Sequence, residues 1–188
     1  MSRSTPHVIG FDDGPFDPAH RGDVLLVGAV FTGPRLDGVL SGKVRRDGAN
    51  ATRVLAGLTR GSRFFPQLHA VLLQGIAFAG FNVVDLPELH RRLGLPVIAV
   101  CRRRPDLDSV RDALLRRVPG GARKWRLVQR AGPPHRAGGL YLQGAGIEPV
   151  AAAALIAPLC LNGVLPEPLR AAHLIAGGLA RGESTGRP

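Results

Sequence analysis

Residues 70–100 read AVLLQGIAFAGFNVVDLPELHRRLGLPVIAV, and this stretch decides the fold class. Its two ends, residues 70–73 and 97–100, are continuously apolar, as is typical of strands that are buried on both faces of a parallel sheet. Between them, Asp85 with Glu88 three residues later predicts the start of a helix, and Gly94 predicts its end. The stretch therefore predicts a strand, a crossing helix and a second strand parallel to the first.

Three apolar segments precede this unit. Residues 8–11, 24–31 and 39–44 predict strands, and the short links between them favour antiparallel pairing. The sequence Asp-Asp-Gly-Pro at residues 12–15 predicts a turn directly after the first strand. A helix is expected after Asn50, an acceptable N-cap, and it ends before Gly61.

The segments after residue 100 predict mostly helices. Asp106 or Asp108 is expected to cap a third helix, which the Pro-Gly-Gly sequence at 119–121 ends. Residues 149–156 and 168–179 predict two more helices. Residues 125–128 and 140–142 are interpreted as short edge strands.

This order of elements is that of an α/β fold of the ribonuclease H-like type. It consists of a mixed sheet in which three antiparallel strands are followed by parallel strands, with helices on both faces. Right-handed crossovers place residues 70–73 beside the first strand. Asp12 and Gln74 then lie at neighbouring carboxyl ends of strands, where open α/β sheets bind ligands. We expect one domain over residues 1–188, with flexible ends at 1–7 and 184–188.

The charge of the chain predicts a polyanionic partner. There are 25 basic and 14 acidic residues, a net charge of +11, and residues 102–136 carry much of the excess. DNA or RNA is the expected partner. The alternative is that the arginine bias reflects genome base composition, because Lys43 and Lys124 are the only lysines.

Cysteine content and hydropathy predict the compartment. Cys101 and Cys160 each lie in an apolar segment, which predicts two buried thiols and no disulfide framework. The longest apolar stretch, residues 150–161, is interrupted by Pro158 and is too short to span a bilayer. Residues 1–7 lack the apolar core of a signal peptide. We expect a cytoplasmic protein that does not contact membranes.

Five ordered blocks also carry a resemblance to a known family. From residue 9 to residue 187 the chain resembles the archaeal-type deoxyuridine endonucleases, which are distantly similar to endonuclease V. The blocks are IGFDDGPF (9–16), VRRDGANAT (44–52), LLQGIAFAGFNVVDLPELHRRLGLPVI (72–98), RRRPDL (102–107) and PEPLRAAHLIAGGLARGES (166–184).

The resemblance implies a nuclease that cuts near a deaminated base with Mg²⁺ or Mn²⁺. Carboxylates hold such hard cations, which activate a water and neutralise the charge on the phosphate. Asp12 matches the first-strand aspartate of the pattern. Gln74 stands where the pattern has an aspartate, and as a neutral amide it predicts weaker metal affinity. Asn50 also stands where an acidic residue is expected, although an N-cap role explains it equally well.

Further candidates complete the expected metal and catalytic groups. Asp47 is interpreted either as a third metal ligand, with Asp12 and Gln74, or as a plain turn residue. Asp13 is either an acceptor that supports the site or the first residue of the turn. The resemblance implies a polar group from a late helix near the metals, which suggests His173 as a catalytic residue, and packing is its alternative. Glu183 is a further possible ligand or a tail residue.

Nucleic-acid contacts are predicted from aromatic and basic side chains. Phe78 or Phe81 is available to stack on a base, although core packing is the commoner role of such residues. Arg170 lies three residues before His173 and shares its helix face. The predicted contacts are Phe78, Arg102, Arg103, Arg104, Lys124, Arg126 and Arg170.

Three functions remain open at this level. The first is a metal-dependent endonuclease that acts on DNA with deaminated bases. The second is a nucleic-acid-binding protein that keeps the scaffold but has impaired catalysis. The third is a small-molecule hydrolase on the same fold, for which a closed pocket over Asp12 is expected instead of an open basic groove.

Overall fold

The structure, a computed structural model, describes residues 6–184 and is built on one large mixed sheet. The strands are β1 (His7–Asp13), β2 (Asp23–Thr32), β3 (Arg35–Arg45), β4 (Ala70–Gln74), β5 (Ala77–Phe78), β6 (Asn82–Val83), β7 (Val97–Cys101), β8 (His135–Ala137) and β9 (Leu140–Ala145). The helices are α1 (Ala51–Arg60), α2 (Leu86–Leu93), α3 (Leu107–Arg117), α4 (Gly121–Arg130), α5 (Pro149–Ile156) and α6 (Glu167–Arg181). Short 3₁₀ turns lie at Phe65–Gln67 and Ala157–Leu159.

The order of strands across the seven-stranded sheet is β3-β2-β1-β4-β7-β9-β8. β1, β2 and β3 pair antiparallel, and β4 and β7 continue the sheet parallel to β1. β9 and β8 close it in antiparallel pairing, while β5 and β6 form a separate two-stranded hairpin. The predicted ribonuclease H-like order, including the placement of β4 beside β1, is confirmed.

Two hydrophobic clusters cover the two faces of the sheet. On one face, Phe11 and Leu73 pack against the side of α1 and α2 that carries Leu55 and Leu89. The other face packs against α5 and α6, with Leu169 at the start of α6 fully buried. Successive residues of a strand point to opposite faces, so the side chains of Asp12 and Asp13 at the end of β1 lie on opposite sides of the sheet.

Several helix boundaries follow from the expected local signals. The Asp85 side chain accepts a hydrogen bond from the Glu88 backbone N–H, and Gly94 ends α2 in the left-handed region with φ +68°. At α3, Asp106 is the capping residue and Asp108 is not. Among residues 6–184, no helix has the length and apolarity needed to cross a membrane.

The structure corrects two of the predicted strands. Residues 125–128 belong to α4, because the buried positions Gly121, Lys124 and Val128 recur at helical spacing. Residues 140–142 do form a strand, β9, but β8 pairs with its outer side and takes the edge position.

Other sequence expectations also need correction. Residues 12 and 13, predicted as a turn, are the last two of β1 and pair with β2. Cys101 and Cys160, predicted to be buried, are half-buried free thiols. At the ends predicted to be flexible, His7 lies in β1 and the Ser184 hydroxyl donates to the Leu174 carbonyl. Residues 1–5 and 185–188 of those predicted ends lie outside the described residues.

Candidate active site

Asp12 is buried at the carboxyl end of β1, beside the end of β4. Only 5% of it is exposed. Phe11 pairs with Leu73 in parallel register, so Asp12 and Gln74 are the next residues along two neighbouring strands. The Oδ1 atom of Asp12 accepts a hydrogen bond of 2.9 Å from the Asp13 backbone N–H. The predicted juxtaposition of Asp12 and Gln74 is therefore present.

His173 on α6 completes a pair with Asp12. Its Nδ1 atom lies 2.8 Å from Oδ2 of Asp12. The carboxylate raises the pKa of His173, chiefly through this hydrogen bond. Burial raises the pKa of Asp12, although the hydrogen bond and the charge of His173 act in the opposite direction. The pair can hold a proton between the buried carboxylate of Asp12 and the partly exposed imidazole of His173.

Gly10 explains how α6 reaches this position. A Cβ atom on Gly10 would lie 2.6 Å from the Pro168 carbonyl carbon, so the helix packs directly against the strand backbone. From Pro168 to His173 a helix rises about 7.5 Å, and from Gly10 to Asp12 a strand advances about 6.6 Å. Since these lengths nearly agree, the contact at Gly10 sets His173 level with Asp12. Glycine within a strand signals such close approach, and this signal was missed at the sequence level.

Gln74 has an unusual environment at the end of β4. Its Oε1 atom is buried and accepts no hydrogen bond in the structure. Burial of an amide oxygen without a donor costs about 1–3 kcal/mol. A hydrogen-bond donor or a cation placed beside this oxygen would remove that cost. The neighbouring carboxylate of Asp12 adds negative charge there, which favours a cation.

Asp13 supports a loop instead of contacting α6. Its Oδ2 atom accepts a hydrogen bond of 2.9 Å from the Ala79 backbone N–H. Burial and the charge of Asp12 raise its pKa to about 6. Of the two roles considered for Asp13, the structure favours an acceptor that supports the site.

Asp47 belongs to the other side of the same loop. Its backbone N–H donates to the Ala79 carbonyl, and its Oδ1 accepts from the Phe81 N–H at 2.8 Å. Oδ2 forms an ion pair with Arg46 at 3.3 Å. Asp47 has a φ of +48°, as turn aspartates often do. Both oxygens of its carboxylate therefore hold local structure, in agreement with the alternative of a turn residue.

Asn50 occupies the N-cap position of α1 but does not cap it. Its Oδ1 accepts hydrogen bonds from the Arg45 backbone N–H and from Asn82 Nδ2. The buried Asn82 instead binds the first free amide, that of Ala51, through its own Oδ1. The expected N-cap role of Asn50 is wrong in detail, because a residue distant in sequence supplies the capping oxygen.

The predicted nucleic-acid contacts separate into buried and exposed groups. Phe78 has no exposed surface and lies in the core, so its predicted stacking on a base is wrong. Lys124 is 5% exposed, and its ammonium donates to the Asp47 carbonyl. Arg102, Arg103, Arg104 and Arg126 are exposed.

Arg170 lies one turn before His173 on α6 and is held in place by Glu167. Glu167 accepts two hydrogen bonds of 2.9 Å from the Arg170 Nε and one from Asn162. These partners hold the pKa of Glu167 below its ordinary value. Arg102 is also close enough that its charge lowers the pKa of His173. Arg102 therefore lies near the pair of Asp12 and His173, whereas the Arg170 guanidinium is bound to Glu167.

Asp12, Asp47 and Gln74 are the metal ligands expected from the sequence. Among residues 6–184, no three carboxylate, imidazole or thiol groups meet as a candidate metal site. The Asp47 carboxylate is engaged by the Phe81 N–H and by Arg46. Glu183 is exposed beyond the end of α6. Asp12 and the unpartnered Gln74 oxygen remain, and they fit a cation such as Mg²⁺, which commonly takes one or two carboxylates and keeps several waters.

Comparison with known proteins identifies relatives of the whole chain. The family model described as Endonuclease dU matches residues 4–180. A UPF0215 protein of Deinococcus radiodurans is 57% identical over 181 residues, which cover 96% of this chain and 92% of that protein. A crystal structure of a protein of unknown function from Archaeoglobus fulgidus is 34% identical, with a TM-score of 0.87, and the match covers 93% of this chain and 98% of that one.

More distant structures show the same fold. Ciona intestinalis endonuclease V, solved with a DNA that contains an inosine followed by a ribo-adenosine, superposes with a TM-score of 0.57 at 12% identity. That match covers 91% of this chain and 84% of the other chain. The fold is thus endonuclease V-like, and fold and family together point to a nuclease-like role. By its sequence, the chain belongs to the Endonuclease dU family.

Proposed function

We propose that the protein is a metal-dependent endonuclease that cuts DNA beside a deaminated base such as deoxyuridine. The observation that carries the proposal is the buried Asp12, paired with His173 and adjacent to the unpartnered oxygen of Gln74. Family membership supports the substrate. The relative from Ciona intestinalis, which was solved with an inosine-containing DNA, supports DNA as the partner.

Asp12 and Gln74 would hold the divalent cation, Mg²⁺ or Mn²⁺. When bound, such a cation activates a water and neutralises the charge that builds on the phosphate. His173 orients the Asp12 carboxylate and holds a proton at Nδ1. Arg102, whose charge acts on His173, and Arg170, one turn before His173, would bind phosphate oxygens, because guanidinium groups match their geometry.

The proposal is tested with purified protein, Mg²⁺ and duplexes that carry a single deoxyuridine, a single hypoxanthine or no lesion. We expect nicking of a damaged duplex and its loss in Asp12→Asn. Asp37→Asn is the matched control, since Asp37 binds Thr32 and Arg35 at the opposite end of β1. Nicking that survives Asp12→Asn would refute the site. Equal nicking of undamaged DNA would refute the substrate.

A nucleic-acid-binding protein with impaired catalysis is the second candidate. It is favoured by the neutral Gln74 and by His173, which already occupies one oxygen of Asp12. This function predicts salt-sensitive binding with negligible cleavage. It also predicts that Gln74→Asp gains cleavage, because the substitution adds a charged ligand beside Asp12.

A further inference from the structure

A cavity of about 480 Å³ lies between the first turns of α1 and α4, beside α2. Thr52 and Arg53 of α1 and Arg123 and Lys124 of α4 line it. Asp47 lines it as well. The Asp47 backbone N–H donates a hydrogen bond to the Ala79 carbonyl, and the Ala79 N–H donates to the Asp13 carboxylate. The cavity therefore adjoins the end of the sheet where the candidate active site lies, but on the side of α1 and α2.

The acidic groups of this cavity already have cationic partners. Asp47 pairs with Arg46, and Asp85 pairs with Arg130 at 2.7 Å. Glu88 binds both of the arginines that follow it on α2. These three carboxylates therefore offer little free negative charge to a ligand.

Three basic groups of the same cavity have no carboxylate partner among the described residues. Arg53 and Arg123 take part in no ion pair or hydrogen bond within residues 6–184. The buried ammonium of Lys124 donates to one backbone carbonyl and, within the same residues, pairs with no carboxylate. Burial lowers the pKa of Lys124, although the charge of Asp47 acts in the opposite direction. The uncompensated charge of the cavity is positive, and an anion would relieve the desolvation of Lys124.

Two helix N-termini add to this positive potential. α1 and α4 have ten residues each, and neither has an acidic residue in its first turn. Asn82 Oδ1 accepts from the first amide of α1, that of Ala51, whereas the N-cap residue of α4 is Gly120, which has no side chain to act as an acceptor. Amide groups at such ends carry partial positive charge and favour phosphate. They strengthen a site that the unpaired cations already define.

A second cavity continues the first along α1. It shares Arg53 and Arg92 with the first cavity and adds Arg60 and Arg91, and no carboxylate lines it. We call the two cavities together the basic groove. Because the groove extends over two cavities, it favours an extended polyanion over a single small anion.

We propose that the basic groove binds the phosphate backbone of a nucleic-acid strand, away from the bond that is cut. The inference deepens the proposed function and rests on it. Arg53 and Arg123 act as the principal phosphate contacts, and the groove fixes the strand relative to Asp12 through the loop that contains Ala79.

The test compares a double variant of the groove, Arg53→Gln with Arg123→Gln, against a matched double variant on α3. Arg111→Gln with Arg117→Gln removes the same charge from exposed residues outside the groove. Affinity for a labelled deoxyuridine duplex is measured by fluorescence anisotropy over a range of salt concentrations, in EDTA. We expect the groove variant to lose about tenfold in affinity and about two units of salt slope, with a much smaller loss in the control.

Each alternative result overturns the proposal. Equal losses in both variants would indicate a general charge effect, and unchanged affinity would indicate that the groove does not contact the strand. A second arm titrates inorganic phosphate against chloride at equal ionic strength and follows thermal unfolding. If phosphate stabilises the wild type but not the groove variant, while DNA affinity is unchanged, the groove is a site for a free anion and not for a strand.

Failure of the proposed nuclease function remains distinguishable. The assay measures binding without cleavage, so a protein that binds through the groove and never cuts would contradict the nuclease and support the groove. If the protein cuts damaged DNA and the groove variant keeps the same affinity for DNA, the nuclease is supported and the groove is contradicted. Circular dichroism melting of both double variants verifies that each is folded.

Discussion

Nδ1 of His173 lies 2.8 Å from Oδ2 of Asp12, although 161 residues separate them in the chain. The pair joins the last helix to the first strand at the point where β1 and β4 end side by side. Each residue shifts the pKa of the other through this hydrogen bond and through its charge. Substitutions can test the pair separately from its neighbours Asp13 and Gln74 and from the contact at Gly10 that aligns α6.

Replacement of His173 by alanine should alter both the rate and the pH dependence of cleavage. The hydrogen bond from His173 lowers the pKa of Asp12, so its loss should move the acidic limb of the pH–rate profile to higher pH. We expect the rate at neutral pH to fall about tenfold or more. His135→Ala, on the exposed strand β8, is the control. An unchanged profile would mean that His173 only packs.

Gln74→Glu should increase the affinity of the site for Mn²⁺. The substitution adds a carboxylate next to Asp12 and replaces the unpartnered amide oxygen. We expect affinity to rise about tenfold, or about 1.4 kcal/mol. Electron paramagnetic resonance titration of free Mn²⁺ measures this without any substrate. Gln129→Glu on the exposed side of α4 adds the same charge elsewhere, and an equal gain there would refute a site at Gln74.

Asp13→Asn should stabilise the protein in alkaline, metal-free buffer. The folded-state pKa of Asp13, about 6, lies above its ordinary value of 3.8. The native state therefore binds more protons than the unfolded state between these values, and stability falls as pH rises through this window. Asparagine keeps an oxygen for the Ala79 N–H but carries no charge.

Urea denaturation in EDTA checks this expectation. The gain in the free energy of unfolding should approach about 3 kcal/mol at about pH 8 and should vanish below about pH 4. Asp13→Ala, which removes the acceptor as well, should lack the gain. A loss of stability for Asp13→Asn at alkaline pH would contradict the assigned environment.

Gly10→Ala should destabilise the fold and displace α6 from the site. The added methyl group would lie 2.6 Å from the Pro168 carbonyl carbon, and overpacking of this kind costs about 1–3 kcal/mol. Gly57→Ala on α1 is the matched control, because nothing lies within 4 Å of the added atom. It should stabilise the helix by about 0.5–1 kcal/mol. Thermal unfolding of both variants, and the cleavage rate of Gly10→Ala, test the alignment of His173.

The spacing of hydrophobic residues and the positions of turn residues were sufficient to predict most of the fold. The continuous apolar segments at β4 and β7 and the cap at Asp85 predicted the parallel unit correctly. The pattern failed at residues 125–128, because a segment of four residues is too short to distinguish a strand from a helix. Contact with α3 decides that case, since a Cβ atom on Gly121 would lie 1.7 Å from the Leu114 carbonyl oxygen.

The candidate site was predicted less completely than the fold. Asp12 and Gln74 were expected at neighbouring strand ends because strand order alone brings them together. For Asp47 and Phe78 the structure favours the alternative roles, a turn residue and core packing, because a turn carboxylate and an aromatic side chain take their roles from the loop or core around them. The Oδ1 of Asp47 binds the Phe81 N–H, and Phe78 has no exposed surface.

By itself, the sequence determined the order and type of the main elements, the family of the chain and the place of Asp12 at the end of the first strand. These properties depend on local period and on motifs that are continuous along the chain. Only the tertiary structure decided that His173 binds Asp12, that Asp13 supports the loop at Ala79, and that Arg53 and Arg123 line one groove. The reason is that each of these contacts depends on how distant elements are aligned, and a backbone contact as small as that at Gly10 sets the alignment.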